Sequence, residues 1–345
     1  MVRIGFIGCG AIGRTHLERL TSRRVSGGVV TGVFDVVEAA AKSAVDDFGL
    51  SQAKVFSSAE ELIASPDVDA VVICSRNDAH LDPLLHAIEA GKPVFTEKPM
   101  TISAEDSLKV VDAELKLGRR LVQVGFNWRF DPGFDSVKKV VDSGKVGPLL
   151  LAGCRTYNVR AATSYYGTDN VINDTLIHNI DILHYLFGED YKSVEVRFSR
   201  QNSLNPNPAD VLREPQLTVF EFQSGALATV ECNVNCQYGF DVRCRLVGEQ
   251  GIVTLPDIPS PEVRYDGQVS HAIDVDWVAP LIDSYDNEFR YFLDQAEKGE
   301  GPELGKAANA WDGYLANVTS DAALKSLHSD TRVEPVYAER PALYV

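Results

Sequence analysis

The sequence lacks the marks of several protein classes. Its six cysteines (Cys9, Cys74, Cys154, Cys232, Cys236 and Cys244) are scattered and include no C-x-x-C pair. No window approaches the roughly 20 consecutive apolar residues that span a bilayer. Residues 1–6 run directly into a strand-like pattern, without the charged leader, apolar stretch and cleavage site of a signal peptide. The expected location is therefore the cytoplasm, where reduced thiols are the default. Basic residues are also scarce: 33 Lys and Arg stand against 49 Asp and Glu, a net charge of −16. Such a chain repels phosphate backbones and anionic lipid, so neither a nucleic acid nor a membrane is expected as partner. There is no G-x-S-x-G elbow, no Walker A loop, no internal repeat and no low-complexity tract.

What is present is length and rhythm. The 345 residues, 45% hydrophobic and 24% charged, suffice for two domains at roughly 150 residues each. In the first third, apolar runs at 2–8, 29–34, 55–56, 70–74, 94–96 and 121–125 alternate with helical patterns at 13–20, 38–48, 60–64, 82–90 and 105–117. Strands without polar alternation are buried on both faces, as in a parallel sheet between helix layers. This predicts a doubly wound α/β domain over residues 1–122. Helices are then expected at 135–142 and 175–187, with an irregular segment at 157–169. Strands follow at 149–154, 194–198, 217–222, 225–234, 242–247 and 252–255, with a Pro/Asn-rich surface loop at 202–208. Residues 123–345 thus read as an α+β domain on a large, mostly antiparallel open sheet. Its last two helices, 284–297 and 307–326, are candidates to pack back on the first domain.

Three motifs carry chemistry. Gly8-Cys9-Gly10-Ala11-Ile12-Gly13 is a complete G-x-G-x-x-G between a strand and a helix. Gly8 permits the turn, Gly10 lets a pyrophosphate approach the backbone, and Gly13 lets helix and strand pack. Asp35 ends the next strand, where a carboxylate accepts hydrogen bonds from a ribose diol. It would repel a 2′-phosphate, and neither Val36 nor Val37 supplies a cation, so NAD is preferred over NADP. Glu97-Lys98-Pro99 ends a strand on the ligand-binding edge of the sheet; Pro99 restricts Lys98 to extended backbone. Asp174, His178 and Asp181 share one helix face, where a carboxylate can hold and tune an imidazole. Leu176, Ile177, Ile180 and Leu183 occupy much of the rest of that helix and, with His184, read as core. Two carboxylates and a His also fit a metal, but no further ligands cluster with them, and none is expected. Cys232, Cys236 and Cys244 lie in strand patterns and read as buried thiols. Tyr157, Tyr165, Tyr166 and Tyr238 suit either a sugar-sized pocket or ordinary packing.

With these residues in hand, the chain resembles the glucose–fructose oxidoreductase/inositol dehydrogenase family (Gfo/Idh/MocA) over nearly its whole length. The glycine motif, E-K-P at 97–99 and D-x-x-x-H-x-x-D at 174–181 carry the resemblance. The segments 120–126, 235–241 and 310–314 are similar to bacterial inositol 2-dehydrogenases. The resemblance implies a catalytic set of Lys98, Asp174 and His178. It implies a cofactor site of Gly8, Gly10, Ala11, Ile12, Gly13, Asp35, Val36, Cys74, Ser75, Asn77, His80, Glu97 and Lys98. Substrate contacts would come from Lys98, Asn127, Trp128, Tyr157, Asp174, His178 and Tyr238. It also implies a homotetramer joined through the second domain's sheet. Two departures stand out. Trp128 replaces the first of two arginines usual in inositol dehydrogenases, and the loop 75–80 differs from the usual one. Stacking of Trp128 on a sugar ring would shift preference away from myo-inositol.

The implied reaction is NAD-dependent oxidation of a secondary hydroxyl of a cyclitol or sugar. His178 would serve as base, Asp174 would orient it, and Lys98 would stabilise the alkoxide. Two alternatives remain: a dehydrogenase or reductase of a non-carbohydrate substrate, and a dinucleotide-binding regulator without turnover. The latter has no use for a base and an alkoxide stabiliser together.

Overall fold

The computed structural model describes residues 1–22, 24–160, 166–200, 203, 211–257 and 260–345. Tyr165, and all of the 202–208 stretch except Ser203, lie outside the described residues. The chain forms two compact units. One gathers Met1–Phe130, Ser284–Val318 and Tyr337–Val345; the other consists of Asp131–Asp283 and Thr319–Val336.

The first unit is built on six parallel strands: β1 (Val2–Ile7), β2 (Gly28–Phe34), β3 (Lys54–Val55), β4 (Ala70–Ile73), β5 (Val94–Glu97) and β6 (Val122–Gly125). Their order is β3-β2-β1-β4-β5-β6. This is the order of a dinucleotide-binding sheet, with its crevice where the winding reverses between β1 and β4. Ile4, Phe6, Val72 and Phe95 are wholly buried, as strands covered on both faces require. Phe289, Phe292, Leu293 and Ala296 of the late helix Val278–Glu297 join the same core. A unit that ended at residue 122 would lose three of the four residues of β6, which pairs with β5 from Val94↔Val122 to Glu97↔Gly125.

The chain's last residues are fastened to this unit as well. Glu114, buried in the helix Ala104–Leu117, accepts hydrogen bonds from the Leu121 and Val122 amides at 2.5 and 2.7 Å. It also accepts one from the Tyr344 hydroxyl. Burial pushes its carboxyl up to about 7. Arg120 Nη1 donates to the Leu343 carbonyl at 2.5 Å.

The second unit holds β7 (Leu149–Tyr157), β8 (Tyr191–Phe198), β9 (Gln216–Phe222), β10 (Leu227–Asn233), β11 (Asp241–Gly248) and β12 (Ile252–Thr254), in the order β12-β11-β7-β10-β9-β8. Only β7 and β10 run parallel; the other neighbours are antiparallel. Burial alternates along the strands. Ala152, Cys154, Thr156, Ala228, Val230, Cys232, Cys244 and Leu246 face inward. On the opposite face Leu151, Leu217 and Leu227 are 38%, 40% and 43% exposed. The inward thiols of Cys154 and Cys232 are pushed up, by a neighbouring thiol and burial at Cys154 and by burial first at Cys232. Cys236 lies off the strands, with its thiol on the Gly239 carbonyl at 3.0 Å. Among the described residues no His, Cys, Asp and Glu group forms a metal-binding cluster. A hairpin, β13 (Glu262–Tyr265) and β14 (Gln268–His271), is exposed throughout, so no burial pattern marks it in the sequence. No helix of the described residues is long and apolar enough to cross a membrane.

Candidate active site

The glycine turn follows β1 directly. Gly8 adopts φ +95°, and a Cβ there would stand 2.4 Å from the Ser75 amide. A Cβ on Gly13 would stand 2.1 Å from the Gly8 carbonyl. Both glycines are therefore required by close backbone approach. Gly10 differs, because a Cβ there would meet nothing within 4 Å. That space lies at the N-terminus of the helix Ala11–Thr21, whose first turn carries no acidic residue. The unpaired N–H groups and positive dipole end of such a helix accept a pyrophosphate. Asp35 is fixed beside it, accepting from the Cys9 amide at 2.7 Å and the Val37 amide at 2.8 Å. Val36 is 86% exposed. Burial and the Asp35 charge push the Cys9 thiol up to about 12, so it stays neutral and unreactive. The turn, the helix terminus and Asp35 fit an NAD dinucleotide.

Ser75 and Asn77 lie after β4, with Asn77 exposed in a single 3-10 turn. Cys74 is buried in the core with its backbone against Gly8, where an added Cβ would stand 2.6 Å from its carbonyl oxygen, and its own Cβ against Gly13, where an added Cβ would stand 3.4 Å from it. His80, expected on the cofactor, is wholly buried instead. Its ring nitrogens face the Pro99 and Ser75 carbonyls at 2.9 and 3.0 Å, and burial holds the imidazole below its ordinary range. It braces the β4 loop against the segment after Lys98. Glu97 is also turned inward: one oxygen lies 2.6 Å from His16 Nε2 and the other accepts from the Lys98 amide at 3.2 Å. Lys98 itself is half-buried at the end of β5.

In the second unit, Asp174 lies in a π-helical stretch, Val171–Leu176, that runs into the α-helix Ile177–Phe187 carrying His178. Both residues are half-buried. Widened turns of this kind recur at functional sites. Here the turn is braced by Tyr166, whose hydroxyl meets the Asn170 carbonyl at 3.1 Å and Thr175 Oγ1 at 2.8 Å. Burial and the nearby Asp174 charge raise the Tyr166 phenol, so it remains a neutral brace. Thr156 of β7 meets Asn179, beside His178, at 2.8 Å, and Tyr191 donates to the Ile180 carbonyl at 2.7 Å. His184, paired with Asp190 at 2.9 Å, is part of the helix packing.

Three expected substrate contacts are placed differently. Trp128 is only 3% exposed, in the buried turn Asn127–Phe130, and offers no open ring face for stacking. The shift away from myo-inositol loses its basis. Asn127 is buried too, donating to Ser284 Oγ at 2.8 Å. Tyr157 has the opposite parity from Thr156, so it lies on the sheet face away from the His178 helix. There it donates to Glu231 at 2.5 Å and meets the ring of Tyr238 edge-on at 6.3 Å. Tyr238 in turn donates to Asp241 at 2.7 Å.

No sequence motif marks a buried, hydrogen-bonded polar group of the first unit, His16, Arg19 and Asp286. The one local signal is that His16 and Arg19, three residues apart, fall on the inward face beside Leu17 and Leu20.

Comparison with known proteins gives a consistent result. Residues 2–126 match an oxidoreductase family with an NAD-binding Rossmann fold, and residues 134–254 match the GFO/IDH/MocA C-terminal domain. An inositol 2-dehydrogenase of Burkholderia cenocepacia is 42% identical over 346 residues, covering 99% of each chain. One from Salmonella paratyphi B is 43% identical over 325 residues, covering 94% of each. The crystal structure of a myo-inositol dehydrogenase from Lactobacillus casei, in complex with NAD(H) and myo-inositol, superposes with a TM-score of 0.95 at 35% identity. It covers 100% of both chains.

Proposed function

The chain belongs to the Gfo/Idh/MocA oxidoreductase family and uses NAD, and we propose that it oxidises a secondary ring hydroxyl of an inositol to the ketone. The full-length likeness to inositol 2-dehydrogenases carries this reading. Bound NAD supplies the hydride acceptor. The chain's own residues supply the rest. The turn Gly8–Gly13 and Asp35 hold the dinucleotide. His178 takes the hydroxyl proton as general base, and Asp174 orients its imidazole and stabilises the imidazolium. Lys98 stabilises the alkoxide as negative charge develops on the oxygen.

The test is NADH formation with cyclitols, pyranoses and short-chain alcohols. Turnover is expected with myo-inositol or a stereoisomer. Activity on short-chain alcohols alone would establish a non-carbohydrate dehydrogenase, and no turnover with any substrate would favour a regulator.

The proposal extends to assembly and location. We propose a cytoplasmic homotetramer joined through the outer face of the second unit's sheet. Leu151 and Leu227 pair directly there, and Arg155 stands opposite Glu231. An apolar row flanked by both charge signs suits pairing with a second copy. Sedimentation at micromolar concentration should give a multiple of the 37.8 kDa chain mass; a monomeric mass would refute it.

A further inference from the structure

Behind Lys98 lies a line of buried polar side chains. The carboxyl group of Glu97 faces His16 Nε2 at 2.6 Å with one oxygen and accepts from the Lys98 amide with the other. His16 Nδ1 meets Arg19, and Arg19 Nε donates to Asp286 at 2.7 Å. All four side chains are buried, and the rings of Phe95, Tyr285 and Phe289 wall the imidazole.

The direction of these bonds follows from the chemistry of arginine. A guanidinium has donors and no acceptor, so Nδ1 must accept from Arg19. The ring proton is then on Nε2, which donates to Glu97. Burial outweighs the opposing hydrogen bond and charge of Glu97 and holds the imidazole below its ordinary range, in agreement with this neutral tautomer. Each group thereby orients the next, from Asp286 to the backbone of Lys98. Asp286 belongs to a helix far along the chain, 267 residues from Arg19.

We propose that His16 is a positioning residue for Lys98. By donating to Glu97 it fixes the carboxylate that holds the Lys98 amide, and so aims the ammonium at the substrate oxygen. This rests on the reading above in which Lys98 acts on the substrate hydroxyl. Misplacement by about 1 Å can cost up to about 10²-fold in rate. Because Lys98 acts most strongly on the developing alkoxide, the loss belongs in kcat rather than KM.

Two substitutions divide the histidine's functions. The amide of His16→Gln reaches the Nε2 position and can still donate to Glu97. The shorter His16→Asn reaches only the Nδ1 position and can still accept from Arg19. With NAD and myo-inositol, His16→Asn should lower kcat by about tenfold with KM and NAD affinity nearly unchanged. His16→Gln should recover most of that loss. The reverse ranking, with Asn active and Gln impaired, would assign His16 to anchoring Arg19 and overturn the proposal. So would equal kcat in both variants, or loss of NAD binding in both, which would make the residue a support of the fold. Lys98→Ala in the same series separates the two readings. If it keeps near-native turnover, the account of the active site falls and this proposal with it. If it loses turnover while His16→Asn does not, only the present proposal falls.

Discussion

His178→Ala and Lys98→Ala should each lower turnover by at least about 100-fold while NAD affinity stays nearly intact. A lost general base costs about 10²–10⁴-fold, and a lost stabiliser of developing negative charge about 10²–10³-fold. NAD affinity is expected to be nearly spared because, on the proposed reading, Gly8–Gly13 and Asp35 carry most of the hold on the dinucleotide, and neither substitution disturbs them. If both side chains serve one proton transfer as proposed, the double variant should lose less than the product of the two single losses. Turnover by His178→Ala should recover in part at high pH, where hydroxide replaces the base. Asp174→Asn should be milder if Asp174 only orients the imidazole. Steady-state kinetics decide the matter: near-native turnover by His178→Ala at neutral pH would place the base elsewhere.

NAD should bind at least about tenfold more tightly than NADP, a difference of about 1.4 kcal/mol. Asp35 is fixed by the Cys9 and Val37 amides, so it cannot swing away from a 2′-phosphate without releasing the glycine turn. The exposed Val36 beside it offers no compensating charge. Equal affinities by calorimetry would defeat this expectation. Asp35→Ser with Val36→Arg should narrow or reverse the preference by removing the repulsion and adding a cation. It should also weaken NAD itself, because serine lacks the second oxygen that now holds the turn.

The second unit shows where local sequence signals end. Tyr157 and Thr156 are neighbours in one strand, and a period of two places them on opposite faces. The pattern does not say which face a helix will cover; the Thr156–Asn179 bond does. Trp128 has a similar lesson. Its departure from the family pattern is visible in the sequence, but its burial depends on what packs over it. The π-helical stretch around Asp174 is equally hidden, because its composition still reads as helix and irregular chain.

Chemistry that acts locally was legible in the order of residues. Glycines at fixed spacing, an acid at the end of the next strand, E-K-P, and a carboxylate and histidine four residues apart each act within one turn, strand or helix. Their spacing therefore states the cofactor, the family and the candidate catalytic groups. Tertiary structure alone decided how those groups are held. His16 and Glu97 are 81 residues apart, and Arg19 and Asp286 are 267 apart. A buried polar group must find a partner or bear a desolvation cost. That partner is chosen by which helix lies against which strand, and no local pattern records the choice.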